Sequence, residues 1–229
     1  SPNNPSGATY TRAELRALAE VILRHDNLWL ITDDIYEHFY YGDTPYVSPV
    51  QAAPELLERA FTVNGVSKAY AMTGWRVGYG AGPKPLIDLM AALQSQTTSC
   101  ISSISQAAAI EALNGPQDFV AQCVAAFKER RDRALSILRT VKQLHCVAPS
   151  GAFYIFPDCE GVIGKKTPAG HRLQTDLYFV MYLLEDTNVA VLDGAAYGLS
   201  PSFRLSFATR IEIVAQACER IKNACEALS

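Results

Sequence analysis

Two short apolar runs frame this chain. "NLWLITDD" (residues 27–34) ends in two acids, and "RAFTVNG" (59–65) ends just before Ser67 and Lys68. Both have the pattern of a buried strand. "WRVGYGAGP" (75–83) gives a third strand, closed by Gly82 and Pro83. Helical stretches separate some of these runs. "TRAE" (11–14) has the form of a capping box, a Thr N-cap with Glu three residues on, and Leu15, Leu18 and Ile22 follow at helical spacing. The alternation predicts an α/β fold with a mostly parallel sheet and helices on its faces. Ligands of such sheets lie beyond the carboxyl ends of the strands. The polar residues collect there: Asp33 and Asp34 end one run, and Ser67 and Lys68 follow another.

Downstream, residues 83–113 read as two helices with a Ser/Thr-rich join. "NGP" (114–116) is a break, and a long helix is expected over 117–141. Its "KERRDR" run (128–133) reads as a solvated face. After "APSG" (148–151), the strand-like "AFYIFP" opens a second region. A loop follows over 161–173, then a helix over 176–184 and strands at "NVAVLDG" (188–194) and "SFRLSFA" (202–208). In the last helix Ile211, Val214, Cys218, Ile221, Cys225 and Leu228 alternate three and four residues apart, one apolar stripe. The expected division is 1–116 and 117–229.

Composition removes several classes of function. The 229 residues are 49% hydrophobic, enough for a sizeable core. A net charge of -3 argues against a nucleic-acid partner. No apolar run reaches the roughly 18 residues of a membrane span, and no secretory signal is visible. The six cysteines form no CxxC pair and read as buried small hydrophobes in a reducing, cytoplasmic compartment. The four histidines are scattered, so spacing gives no metal site. The chain opens inside a turn, "SPNNPSG", without an initiator Met, and reads as a piece of a longer protein.

Lys68 and Arg76 stand eight residues apart in a Gly-punctuated stretch. On a straight helix they would lie about 12 Å apart and differ by about 80° in direction. A curved loop can turn both toward one ligand. A guanidinium binds phosphate oxygens in a bidentate way, and an amine forms a Schiff base with a carbonyl. Pyridoxal 5'-phosphate carries both groups on one rigid ring. Its ring nitrogen needs a carboxylate beside it to stay protonated, which Asp33 or Asp34 could supply. Tyr36 and Asn4 are candidate donors to its phenolate oxygen, and Ser67 a further donor to the phosphate. Trp75, Tyr70 and Tyr154 read as packing residues. The Ser/Thr cluster of 95–105 reads as a solvated helix join, or as the border of a neighbouring subunit's site.

"NNPSG", "DDIY", "SKAYAMTGWRVGY" and "FRLSFA", in that order, resemble the motif set of the class I/II, fold-type I aminotransferases over essentially the whole chain. Residues 81–116 look like the bacterial aspartate aminotransferase subgroup. The resemblance implies a partial large pyridoxal-phosphate-binding domain (1–116) followed by a linking helix and an α+β small domain (117–229). It implies that Lys68 is the Schiff-base lysine and proton shuttle, and Asp33 the carboxylate on the ring nitrogen, with Asp34 a bystander. Tyr36 and Asn4 match the phenolate donors, and Arg76 the phosphate-binding arginine. Ser67 is a looser match, because its offset from the lysine varies within the family. Arg204 matches the arginine that pairs with the substrate α-carboxylate, with Asn4 beside the substrate. The implied reaction moves an amino group between an amino acid and a 2-oxo acid, in a homodimer. Complete members are roughly twice as long, and the N-terminal part supplies the glycine-containing phosphate loop and the stacking aromatic. A carbon-sulfur β-lyase on the same fold and a non-catalytic sensor domain are the alternatives.

Overall fold

A computed structural model describes all of residues 1–229. The chain forms two compact units: Ser1–Pro2 with Thr9–Val124, and Asn3–Ala8 with Ala125–Ser229. The "NNPS" turn thus groups with the C-terminal half.

In the first unit, α1 (Arg12–Leu23) starts at the capping box expected from "TRAE". Glu14 N donates to Thr11 Oγ1 at 3.2 Å, and Thr11 N donates to Glu14 Oε2 at 2.7 Å. Both hydrogen bonds satisfy N–H groups that would otherwise lack a partner in the first turn. β1 is Leu30–Asp33. The short α2 (Pro49–Ala52) has a second box, Ser48 with Gln51. β2 (Ala60–Gly65) lies parallel to β1, with Asp33 opposite Val63. β3 (Gly78–Ala81) runs antiparallel to β2, with Gly65 opposite Gly78. This part of the sheet therefore has one pairing of each kind, in the order β1-β2-β3. Gly80 of β3 has a steric cause: a Cβ there would lie 2.3 Å from the Phe61 ring, which crosses the strand.

α3 (Lys84–Thr97) and α4 (Ser103–Asn114) follow, with the Ser/Thr-rich join between them as expected. No residue of α3 is buried, and Leu89 (71% exposed) and Leu93 (67%) face outward. α4 buries Ala109 alone, against Val66 and Val77. The other small core gathers Ala19, Ala53, Leu56 and Ala60.

α5 (Asp118–Leu138) begins in the first unit and ends in the second, burying Ala134, Leu135, Ile137 and Leu138. The "KERRDR" run is not wholly solvated. Arg131 turns inward and donates to Pro149 O at 3.1 Å, and Arg130 lies 4.8 Å from the Phe127 ring centroid. β4 (Tyr154–Ile155), α6 (Asp176–Thr187), β5 (Leu192–Asp193), β6 (Phe203–Ser206) and α7 (Ile211–Glu226) complete the second unit. Its sheet is antiparallel, in the order β4-β6-β5.

Two of these strands are shorter than their sequence runs. Pro157 has no N–H to continue the ladder of β4, although its carbonyl accepts from Phe203 N at 3.1 Å. The start of "NVAVLDG" is used to end α6. Asn188 takes the left-handed conformation (φ 54°), and Val189 N donates to Leu183 O at 3.1 Å.

The core of the second unit holds Phe179, Phe203, Phe207, Leu138, Ile155, Leu173, Leu183 and Ile221. The stripe of α7 faces it with Val214, Cys218, Ile221 and Cys225. Four cysteines are buried as expected, whereas Cys100 is exposed in the α3–α4 join and Cys123 half-buried. All six are free thiols. No helix is long and apolar enough to cross a membrane.

Candidate active site

The carboxyl ends of β1 and β2 are neighbours, because the two strands are parallel and in register to Asp33 and Val63. Asp34 N extends the ladder by donating to Val63 O at 2.9 Å. Strand alternation then separates the two acids. Asp33 is exposed, and Asp34 is buried on the other side of the strand. Asp33 Oδ1 accepts from Ile35 N at 3.1 Å, which orients the carboxylate and leaves Oδ2 without a hydrogen bond. Asp34 accepts from Thr32 Oγ1 at 2.8 Å. Its carboxylate also stands against the Tyr46 hydroxyl, whose pKa is raised first by burial and then by that neighbouring charge.

β2 ends at Gly65, and the chain passes through turns at 66–70 and a single 3-10 turn at Thr73–Trp75 before β3. The Lys68–Arg76 segment is therefore a curved loop. Its curvature needs left-handed backbone at Ala71 (φ 53°) and Arg76 (φ 56°). Non-glycine residues held there cost about 1–3 kcal/mol each and cluster at functional sites. Arg76 Nη1 donates to Thr73 O at 2.9 Å, which fixes the guanidinium against its own loop. Lys68 is half-buried, its amine 6.0 Å from the centroid of the buried Tyr36 ring, and it has no hydrogen-bond or ion-pair partner. Ser67 precedes it and is also half-buried. The first unit thus holds Asp33, Tyr36, Ser67, Lys68 and Arg76 along two adjoining strand ends and the loop after them. Trp75, expected to pack, is 44% exposed.

The second unit joins Asn4 and Arg204, which are 200 residues apart in sequence. Arg204 Nη1 donates to Asn4 Oδ1 at 2.8 Å. The Arg204 guanidinium carbon lies 4.6 Å from the Tyr154 ring centroid and 5.1 Å from that of Tyr197. Its Nε is buried with no acceptor. A buried N–H without a partner is costly. This one lies on a guanidinium edge not used by Asn4, and a carboxylate is the kind of acceptor it lacks. Tyr154 is thus a packing residue that packs on the site arginine. Tyr197 lay outside the sequence candidates, and its local signal is only an aromatic before Gly198.

A profile of the family "Aminotransferase class I and II" matches residues 1–221. The aspartate aminotransferase of Rhizobium meliloti (strain 1021) is 55% identical over 229 residues, covering 100% of this chain and 56% of its own length. The aspartate/prephenate aminotransferase of Cereibacter sphaeroides (strain ATCC 17029 / ATH 2.4.9) is 52% identical, with 100% and 57% covered. Among solved structures, the aspartate aminotransferase from Rhizobium meliloti matches with a TM-score of 0.96, over 100% of this chain and 57% of that one. A double mutant of the Thermus thermophilus aspartate aminotransferase, 38% identical, matches with a TM-score of 0.87, over 98% and 55%. The chain spans a little over half the length of these relatives. The α/β fold with part of the large domain is the one these fold-type I structures share. With four motifs in order and a family profile covering nearly its full length, the chain belongs to the class I and II aminotransferases.

Proposed function

We propose that this chain carries the lysine, the carboxylate and the arginines of a pyridoxal-phosphate-dependent aminotransferase of the aspartate type. One observation carries the reading: a half-buried Lys68 amine without a partner, over the Tyr36 ring, at the strand end adjoining that of Asp33. The names and identities of the bacterial relatives support the aspartate class.

The residues present fit pyridoxal phosphate. Its aldehyde suits the unpartnered Lys68 amine, and its ring N–H suits the open Oδ2 of Asp33. Its phosphate suits Arg76, which spends one nitrogen on Thr73 O and keeps the others, with Ser67 beside Lys68 as a second donor. Tyr36 and Asn4 are the donors for the phenolate oxygen. When bound, the cofactor supplies an aldehyde that takes the amino group and a protonated ring that accepts the electron pair left by the α-proton. With the cofactor bound, Lys68 Nζ would be the general base and acid that moves the substrate's α-proton. The Asp33 carboxylate holds the ring proton by its opposite charge. Arg204 orients the amino acid or 2-oxo acid by pairing with its carboxylate, with Nε already stripped of water.

In this reading the unit containing Thr9–Val124 is part of the cofactor-binding domain, and the unit containing Ala125–Ser229 is the small domain. A cytoplasmic homodimer is the matching setting. The free thiols and the outward apolar rows of α3 and α4 support it. Borohydride reduction in the presence of pyridoxal phosphate, followed by peptide mapping, tests the site. The adduct is expected on Lys68, weakly in the 229-residue chain and fully in one extended to its relatives' length. An adduct on a different lysine would overturn the assignment.

A further inference from the structure

Asp176 is 1% exposed, and its carboxylate accepts from four backbone N–H groups. Leu177 N lies 3.1 Å from Oδ1. Gly194 N (3.1 Å), Ala195 N (3.2 Å) and Ser202 N (3.3 Å) converge on Oδ2. A carboxylate buried without such donors would cost several kcal/mol. The donors come from three separate places: the start of α6, the turn after β5 and the residue before β6. The turn is tight, since a Cβ on Gly194 would lie 2.1 Å from Leu199 O. The same Gly194 N–H is shared with Ser202 O at 2.7 Å.

What these three places carry is the setting of Arg204. The turn leads into the single helical turn Ala195–Tyr197, whose Tyr197 ring covers one side of the guanidinium. Ser202 stands two residues before Arg204, just ahead of β6. Asp176 forms no ion pair. Its charge is met by backbone dipoles, so the arginine is not neutralised from within the protein.

We propose that Asp176 is a positioning residue for Arg204. It ties the Tyr197 turn to the start of β6, so that the guanidinium stays between Tyr154 and Tyr197 with its Nε unspent within the chain and left for a carboxylate. The proposal rests on the reading of Arg204 as the carboxylate-binding residue and goes one layer behind it.

The test is nitrogen-15 NMR of the 229-residue chain, with the Arg204 Nε–H resonance assigned by its loss in Arg204→Lys. In the wild type this resonance is expected to be shifted by the two flanking rings and to move on titration with succinate. In Asp176→Asn, with the circular dichroism retained, it moves toward the position of a free arginine, and succinate affinity falls about tenfold. Asp176→Glu, which keeps the charge, restores part of both. A lower melting temperature with an unchanged Arg204 resonance and affinity overturns the proposal. If Asp176→Asn does not fold, Asp176→Glu takes the same test, and failure of both to fold also overturns it. A wild-type resonance that ignores succinate but shifts in Asp176→Asn sinks the carboxylate reading and leaves the positioning role standing.

Discussion

The two units differ in how they bury apolar surface. The second closes a core of large side chains, with Phe179 and Phe203 edge to face at 5.6 Å. The first gathers small buried groups around Ala19, Ala53, Leu56 and Ala60, and around Val66, Val77 and Ala109, and buries the larger rings of Phe39, Tyr36 and Tyr41 apart from them. It leaves Ile31 on β1 and Ile104 on α4 each 73% exposed. Burying a side chain of this size contributes about 1.5–3 kcal/mol, and Ile31 and Ile104 leave most of theirs unrealised. Lys68 and Asp33 stand in this first unit. Arg204 stands on a strand that starts at the fully buried Phe203.

The largest test of this contrast is a pair of truncations. Phe179→Ala should cost about 3–5 kcal/mol in urea unfolding, and Leu93→Ala should stay within about 0.5 kcal/mol. Equal losses would erase the distinction.

The thiols give the next test. Burial pushes Cys159, Cys218 and Cys225 up to about 12 and Cys146 up to about 11. Iodoacetamide should modify Cys100 roughly a thousandfold faster than these four. In the unfolded chain the same thiols ionise near 9. Between that value and about 12 the unfolded state holds fewer protons, so stability falls as pH rises through this window. A melting curve that is flat from pH 8 to 11 would contradict the burial.

Smaller in effect, Thr11→Ala should cost about 1 kcal/mol by removing the α1 cap. Glu14 is held below its ordinary pKa first by the Thr11 backbone N–H and then by the Thr11 hydroxyl. The contribution of the cap is present above pH 4.5 and fades as pH falls through the lowered value. Smallest in stability is Leu89→Glu with Leu93→Glu. It should leave the melting point nearly unchanged and reduce concentration-dependent association in light scattering.

The features legible in the residues are short-range. A box needs only Thr11 and Glu14, the stripe of α7 needs only spacings of three and four, and the curved loop is legible in Gly74 and the strand pattern after it, although the left-handed residues that bend it are Ala71 and Arg76. Lys68, Arg76, Asp33, Tyr36 and Arg204 stand in the motifs whose order is legible in the sequence. The environment of each is not. Asp34, next to Asp33 in sequence, is buried against Thr32 and Tyr46, because strand alternation sends neighbours to opposite faces. Cys100 looked like its five companions, and only its place in the α3–α4 join exposes it.

The amino-acid order by itself determined the family and the helix starts. It did so because caps, periodicity and motif spacing act between residues close along the chain. The tertiary structure alone decided that Asn4 meets Arg204, that Tyr154 and Tyr197 flank its guanidinium, and that Asp176 collects N–H groups from as far as Ser202. Those contacts join segments up to 200 residues apart, and their geometry is set by how sheets and helices pack rather than by any local preference.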